Sequence, residues 1–163
     1  MEGGRSESGE PALGFPFDAF ASNPSAVQKL KTAVPFVVYF DGASRGNPGP
    51  AAWGVFAPGG RSEHKAIGRT TNNVAEWQGF LAALDVAAAA GATDVEVRAD
   101  SELVLKQFLG TYRVKAAHLA PYLAAARQKA RQFRRLTVVH VPRRENREAD
   151  ALANAALDGE KTP

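Results

Sequence analysis

The 163-residue chain contains no cysteine, which excludes disulfide bonds and thiolate metal sites. A reducing compartment suits that composition. No apolar run approaches the roughly 20 residues that a helix needs to cross a bilayer. The N-terminal residues MEGGRSESGE also lack the basic and then apolar pattern of a secretory signal. We therefore expect a cytoplasmic protein that makes no membrane contact.

Negative charge is scarce in one stretch of the chain, residues 112–147. Arginine and lysine dominate the stretch from Tyr112 to Arg147, where Glu145 is the only acid. The net charge of the chain is only +3, although the isoelectric point is about 9.4. One interpretation of the basic stretch is a solvated helix face. The other is a surface for a polyanion such as nucleic acid.

The remaining pattern divides the chain into one domain and two tails. Residues 1–33 mix Gly, Ser, Glu and Pro without a sustained period, which predicts a flexible N-terminal tail. Residues 34–158 carry the periodic apolar segments of a single domain. Residues 159–163 are predicted to form a short C-terminal tail.

Apolar segments separated by turn residues predict an α/β fold with the order βββαβααβα. The runs VPFVVYF, AAWGVFA and RSEHKAIGR, joined by Gly- and Pro-rich turns, predict an antiparallel meander. A helix opening at TTNN and closing at Gly91 follows, then the strand DVEVRA and two further helices. LTVVHV is the last predicted strand, and residues 147–157 form the last predicted helix. This order indicates one mixed sheet with helices on its faces.

Four acids lie at the ends of predicted strands or near the starts of predicted helices. Asp41 and Asp100 each follow an apolar strand, and the carboxyl ends of parallel neighbours meet at one sheet edge. Glu76 lies one turn into the first helix, and Asp150 lies early in the last. For Asp41 alone, a turn-capping role beside Ser44 is the alternative. Together the four positions predict a carboxylate cluster.

Clustered carboxylates repel one another, and their burial is unfavourable. Hard divalent cations relieve both problems because they prefer oxygen ligands. A site without cysteine or a required histidine favours Mg²⁺ or Mn²⁺ over Zn²⁺. Two such ions, about 4 Å apart, can activate a water and stabilise the leaving oxygen in phosphodiester hydrolysis.

Four segments in order, each with its acid, closely resemble type 1 ribonuclease H: DGASRGNPGPAAWG, TTNNVAEWQGFLAAL, VRADSELVLKQ and VPRRENREADALANAAL. The resemblance extends from about Val37 to Leu157. It implies a ribonuclease H-like fold whose five-stranded mixed sheet is flanked by helices. It also implies an endonuclease that cuts the RNA strand of RNA/DNA hybrids with two Mg²⁺ ions. The products would carry 5′-phosphate and 3′-hydroxyl ends, and Mn²⁺ is the expected substitute ion.

The resemblance also assigns roles to individual residues. It implies that the metal ligands are Asp41, Glu76, Asp100 and Asp150. Contacts to the minor groove of the hybrid are implied for Asn47, Asn72 and Asn73, whose amides suit 2′-hydroxyls and base edges. As a plain turn residue or helix cap, each of these asparagines also has a structural explanation. Arg69 and Thr71 match a pocket for a DNA-strand phosphate.

Three features depart from the family pattern. The loop before the last acid, PRREN, lacks the usual histidine, and Arg143 or Glu145 is the candidate for its role in proton transfer or product release. Glu102 stands where a glutamine is usual. The basic protrusion is absent, and one long helix over residues 116–133 is predicted in its place. Trp53 and Trp77 are predicted to lie in the core.

Three other functions are compatible with parts of the pattern. A hybrid-binding module without turnover predicts that one of the acids is missing. A transposase- or integrase-like nucleotidyl transferase predicts a late glutamate and no acid on the first long helix. A plain α/β scaffold would make the acids helix or turn caps. A metal-dependent endonuclease accounts for every motif. We expect it to be monomeric and to bind an RNA/DNA hybrid.

Overall fold

The computed structural model describes residues 34–160 of the chain. The predicted N-terminal tail, residues 1–33, and residues 161–163 lie outside this range. Within it, no helix combines the length and the apolar character needed to cross a membrane.

The described residues form five strands and four α-helices in the predicted order. The strands are β1 Phe36–Ser44, β2 Gly49–Phe56, β3 Ser62–Thr70, β4 Asp94–Ala99 and β5 Arg135–His140. The α-helices are α1 Asn72–Ala89, α2 Glu102–Leu109, α3 Ala120–Ala130 and α4 Arg147–Glu160. Short 3₁₀ turns, Ala117–Leu119 and Arg143–Glu145, precede α3 and α4.

The strands make one sheet in the order β3-β2-β1-β4-β5. β1 and β2 pair antiparallel, as do β2 and β3, whereas β4 pairs parallel with both β1 and β5. The prediction of a mixed sheet that begins as an antiparallel meander is therefore confirmed. Helix α1 packs against β1 and β2, and α4 packs against β1, β2 and β3.

An aromatic cluster fixes α1 on the sheet. The ring of Phe40 on β1 stacks on Phe80 of α1 at 5.3 Å, and Phe80 meets the edge of Phe108 from α2 at 4.9 Å. Trp77 is fully buried beside them, and Trp53 is also a core residue, as predicted. Burying each large apolar side chain contributes about 1.5–3 kcal/mol, so this cluster sets where α1 lies.

The helical boundaries differ from the prediction in two places. The predicted long helix over residues 116–133 is a 3₁₀ turn followed by the shorter α3. Pro121 lies in the first turn of α3, where its missing N–H group has no helical acceptor to lose. The last helix continues to Glu160, three residues beyond the end predicted at residue 157.

Close approach of α4 to the sheet depends on Gly54 of β2. A Cβ atom at this position would lie 2.4 Å from the carbonyl oxygen of Ala149 and 2.6 Å from the nitrogen of Ala153, both in α4. These are backbone atoms, so a side chain can be accommodated only if the helix moves. Asp150 lies between the two contacted residues, and the glycine therefore sets the distance of Asp150 from β1.

We expect Gly54→Ala to lower the free energy of unfolding by about 1–3 kcal/mol or more, because the added methyl group overpacks a backbone contact. Gly59→Ala is the matched control, since a Cβ there has no heavy atom within 4 Å. Its effect should stay below about 1 kcal/mol. Urea unfolding measures both, and equal stabilities for the two variants would contradict this account of the packing.

Candidate active site

Asp41 and Asp100 lie where the parallel pairing of β1 and β4 ends. The last parallel pair is Tyr39 with Arg98, and each acid follows its paired residue by two positions. The prediction that Asp41 ends its strand was wrong. β1 continues to Ser44 because β2 keeps pairing with it beyond the end of β4. Asp41 and Asp100 come close together because the parallel pairing of β1 and β4 ends just before them, not because β1 itself ends at Asp41.

Asp41 is only 7% exposed. Burial raises the pKa of its carboxyl to about 8, and the charge of Asp100 and a hydrogen bond with Asp150 act in the same direction. The N–H group of Gly42 opposes the shift. At neutral pH a carboxyl with this pKa is largely protonated, whereas the same group in water would be ionised.

Glu76 reaches the same region from α1. Gly42 allows this approach, because a Cβ atom there would lie 2.4 Å from the backbone nitrogen of Glu76. With the strand and the helix in contact, the Gly42 N–H donates to Oε1 of Glu76 at 2.9 Å. The glycine of the Asp-Gly pair therefore brings the second acid to the first.

The protonation of Glu76 depends on the other acids. Burial raises its pKa well above the usual range, and the charges of Asp41 and Asp100 raise it further. The Gly42 N–H group and the positive charge of Arg143 lower it. Arg143 is exposed in the loop before α4, and its influence on Glu76 shows that this loop faces the acids.

Two asparagines hold the remaining acids. Asn146 donates from Nδ2 to Oδ1 of Asp100 at 2.9 Å and to the carbonyl oxygen of Phe40 at 2.8 Å. Asn154 donates from Nδ2 to the carbonyl oxygen of Asp150 at 2.9 Å and to its Oδ1 at 3.3 Å. The sequence analysis missed both asparagines. Their spacing of four residues on either side of Asp150 was the available signal, because residues four apart share a helix face.

The four predicted acids are therefore linked through Asp41, although they come from β1, α1, the end of β4 and α4. Even so, within residues 34–160 no three Asp, Glu or His side chains form a ready-made metal group. Carboxyls can shift one another's pKa values without forming a metal-binding geometry. Charges interact over several ångströms, whereas ligand oxygens must converge on one point. Glu76 and Asp100 each direct an oxygen to a protein donor instead. The donor chemistry, carboxylate oxygens alone, fits a hard divalent cation.

The residues predicted to contact nucleic acid gather around the start of α1. Thr71 is the N-cap, and its Oγ1 accepts from the N–H of Val74 at 3.2 Å. Asn47 accepts at Oδ1 from the N–H of Asn72 at 2.9 Å, which fastens the GNPGP turn to the helix. Asn72 is exposed. Arg69 is also exposed, near the end of β3.

A cleft of about 490 Å³ opens beside Asn73. Gln107 of α2 and Tyr112, Arg113 and Lys115 of the following loop also line it. The first part of the basic stretch therefore lies on the same side of the molecule as the start of α1. Glu102 is exposed and ion-paired to Lys106 at 2.6 Å along α2.

Comparisons with known proteins identify relatives of this chain. The sequence profile described as "Reverse transcriptase-like" matches residues 40–156. Ribonuclease HI of Halobacterium salinarum is 47% identical over 129 residues, which is 74% of this chain. The crystal structure of RNase H1 from this archaeon superposes with a TM-score of 0.74 at 44% identity, covering 77% of this chain and 99% of that one. The chain belongs to the type 1 ribonuclease H family.

A second solved member of the type 1 ribonuclease H family, LC11-RNase H1, was crystallised in complex with an RNA/DNA hybrid. It superposes with a TM-score of 0.72 at 38% identity, covering 77% of this chain and 98% of that one. The chain spans 63% of the length of the curated Halobacterium relative and 35% of that of the Mycobacterium tuberculosis protein Rv2228c. Family membership therefore concerns the domain that these proteins share.

The crowded carboxyls predict a pH-dependent stability in buffer with EDTA. Asp41 ionises near its usual pKa of 3.8 when unfolded and near 8 when folded. Between these values the folded state binds more protons, so stability falls as the pH rises. Asp41→Asn should flatten this dependence. It should also raise the free energy of unfolding at pH 8 by up to a few kcal/mol, at about 1.4 kcal/mol per pKa unit.

Urea unfolding of both proteins at several pH values from 5 to 8 measures the effect. Asp85→Asn is the control, because Asp85 is an exposed acid that pairs with Lys129. This control should lose about 1 kcal/mol or less and keep the wild-type slope with pH. An Asp41→Asn slope identical to that of wild type would refute the assignment of the pH dependence to Asp41.

Proposed function

We propose that the chain is an endonuclease that hydrolyses the RNA strand of RNA/DNA hybrids and leaves 5′-phosphate and 3′-hydroxyl ends. The observation that carries the proposal is the set of four carboxyls linked through Asp41, in which Asp41 and Glu76 are buried and have raised pKa values. The related LC11-RNase H1 in complex with a hybrid supports the substrate class. We propose a monomeric enzyme.

The type 1 ribonuclease H family depends on divalent metal ions. In this proposal Asp41, Glu76, Asp100 and Asp150 hold two Mg²⁺ ions, for which Mn²⁺ is the substitute. When bound, such ions lower the pKa of an attacking water and neutralise charge on the phosphate and the leaving oxygen. The protein contributes the convergence of the acids. It also supplies hydrogen-bond donors that keep individual carboxylate oxygens in place.

Recognition of the hybrid is assigned to the start of α1. The amides of Asn47, Asn72 and Asn73 can pair with 2′-hydroxyls and base edges in the minor groove, which distinguishes RNA from DNA. Thr71 uses its oxygen as the helix cap but keeps a hydroxyl proton to donate to a phosphate. Arg69 and the positive end of the α1 dipole favour the same anion.

The loop before α4 is assigned to proton transfer or product release. Arg143 is its stronger candidate, because its charge already lowers the pKa of Glu76. Glu145 lies exposed at the end of the same 3₁₀ turn. The two residues would act in place of the histidine that this loop lacks.

A cleavage assay tests the proposal with an end-labelled RNA strand paired to DNA, in Mg²⁺ or in EDTA. Duplexes of the same sequence with two RNA strands or two DNA strands run in parallel. We expect RNA cuts only in the hybrid and only with Mg²⁺. Asp100→Asn should lose more than about 100-fold in rate, because removing even a partner of a metal ligand typically costs 10–100-fold. Asp85→Asn should cleave at the wild-type rate.

Other outcomes of the same assay would replace the proposal. Hybrid binding without cleavage by the wild-type protein would indicate a binding module. Strand joining would indicate a nucleotidyl transferase. Cleavage that persists in Asp100→Asn would remove the acids from the reaction.

The pH dependence of hybrid cleavage tests the role of Arg143. Its positive charge favours the ionised form of Glu76, so Arg143→Ala should raise the pKa of Glu76. If the reaction needs this carboxylate ionised, the acidic limb of the kcat profile moves to higher pH, by about 0.5 unit or less for an exposed charge. Arg144→Ala is the matched control, because Arg144 is a neighbouring arginine that is also exposed. Coincident profiles for the two variants would contradict the assignment.

A further inference from the structure

Asn146 is the most deeply buried polar residue near the acids, with 1% of its surface exposed. Its Nδ2 group contacts two acceptors, the carbonyl oxygen of Phe40 at 2.8 Å and Oδ1 of Asp100 at 2.9 Å. An amide nitrogen has two protons, and these contacts use both. Phe40 directly precedes Asp41, so one side chain links the strand of the first acid to the carboxylate of another.

The orientation of this amide follows from its neighbours. A carbonyl and a carboxylate oxygen are both acceptors, so only the NH₂ end of the side chain can face them. The Oδ1 atom then points elsewhere, and it has no hydrogen-bond partner among residues 34–160. An unsatisfied buried acceptor costs about 1–3 kcal/mol.

At its position before α4, the Oδ1 atom of Asn146 could accept a hydrogen bond from the first turn of the helix. The carbonyl of Asn146 accepts from the N–H of Asp150 at 3.1 Å, which makes Asn146 the N-cap of α4. An N-cap asparagine normally accepts from an N–H of the first helical turn, and this is worth about 0.5–2 kcal/mol. Asn146 does not do so. The stability of α4 therefore does not explain where this side chain points, whereas the two acceptors beside the acids do.

We propose that Asn146 is a positioning residue for Asp100, an inference that rests on the proposed function. Its amide holds one oxygen of this carboxylate against the backbone of β1, and the other oxygen stays free of this contact. The same residue begins the helix that carries Asp150. Asn146 therefore fixes two of the four acids relative to Asp41, which prepares the site for a divalent cation.

Three substitutions separate positioning from capping. Asn146→Ala removes the two donor contacts and also leaves a residue that cannot cap the helix through its side chain. Asn146→Ser and Asn146→Asp retain good N-cap residues, but serine is too short to reach both acceptors and an ionised aspartate cannot donate. Positioning therefore predicts that all three variants are defective. Capping alone predicts that Asn146→Ser behaves like wild type, whereas Asn146→Asp adds a buried charge beside Asp100 and is impaired under either account.

The primary measurement is calorimetric titration of each protein with Mg²⁺ in the absence of nucleic acid, at a temperature where circular dichroism shows the variant folded. We expect the dissociation constant for Mg²⁺ to rise about 10–100-fold in Asn146→Ala and Asn146→Ser. In hybrid cleavage, kcat should fall while KM for the hybrid stays near the wild-type value. Wild-type Mg²⁺ binding by Asn146→Ser would overturn the proposal.

A measurement on the wild-type protein covers the case in which the variants do not fold. Both Asn146 side-chain protons should exchange slowly with solvent in nuclear magnetic resonance spectra, and their resonances should shift on addition of Mg²⁺. Fast exchange or unchanged resonances would overturn the positioning role. Wild-type protein that binds Mg²⁺ but leaves hybrid intact would overturn the proposed function alone, because the calorimetric comparison does not depend on cleavage.

Discussion

Repulsion among carboxyl groups is the constraint on which the rest of this structure depends. Asp41 and Asp100 face one another because the parallel ladder of β1 and β4 stops two residues earlier. Glu76 and Asp150 join them only because Gly42 and Gly54 let two helices touch the sheet backbone. Each close approach adds a charge to a crowded site. The packing that stabilises the fold thereby creates the electrostatic strain in the site, a common trade-off in functional proteins.

Hydrogen-bond donors moderate this strain without neutralising it. The Gly42 N–H reaches Glu76, and the amides of Asn146 and Asn154 reach Asp100 and Asp150. Neutral donors satisfy individual oxygens yet leave the net charge of the cluster unchanged, so the pKa of Asp41 remains near 8. A cation of high charge can still lower the energy of the cluster substantially. The donors also favour particular orientations of the acids, which an ion pair with a flexible lysine would not do.

The sequence predicted the order of the elements along the chain and a mixed sheet, because both follow from the hydrophobic pattern and the turn residues. It failed where long-range contacts decide the outcome. Asn146 stands in a helix-capping position, and the acceptors that orient it lie 106 and 46 residues away in the chain. The extension of β1 past Asp41 depends on pairing with β2 rather than on the β1 sequence. Local patterns carry no information about such partners, so both features emerge only from the folded structure.

The GNPGP turn connects the surface assigned to the hybrid with the acids. On one side of the turn, Arg45 bonds Asn154 at 3.3 Å and Asp158 at 2.9 Å, both in α4. On the other side, the contact of Asn47 with the first N–H of α1 is 2.9 Å long. These are the helices that carry Asp150 and Glu76. A nucleic acid bound against this turn would therefore meet acids in a fixed relation to it, because a rigid frame determines which phosphate is presented.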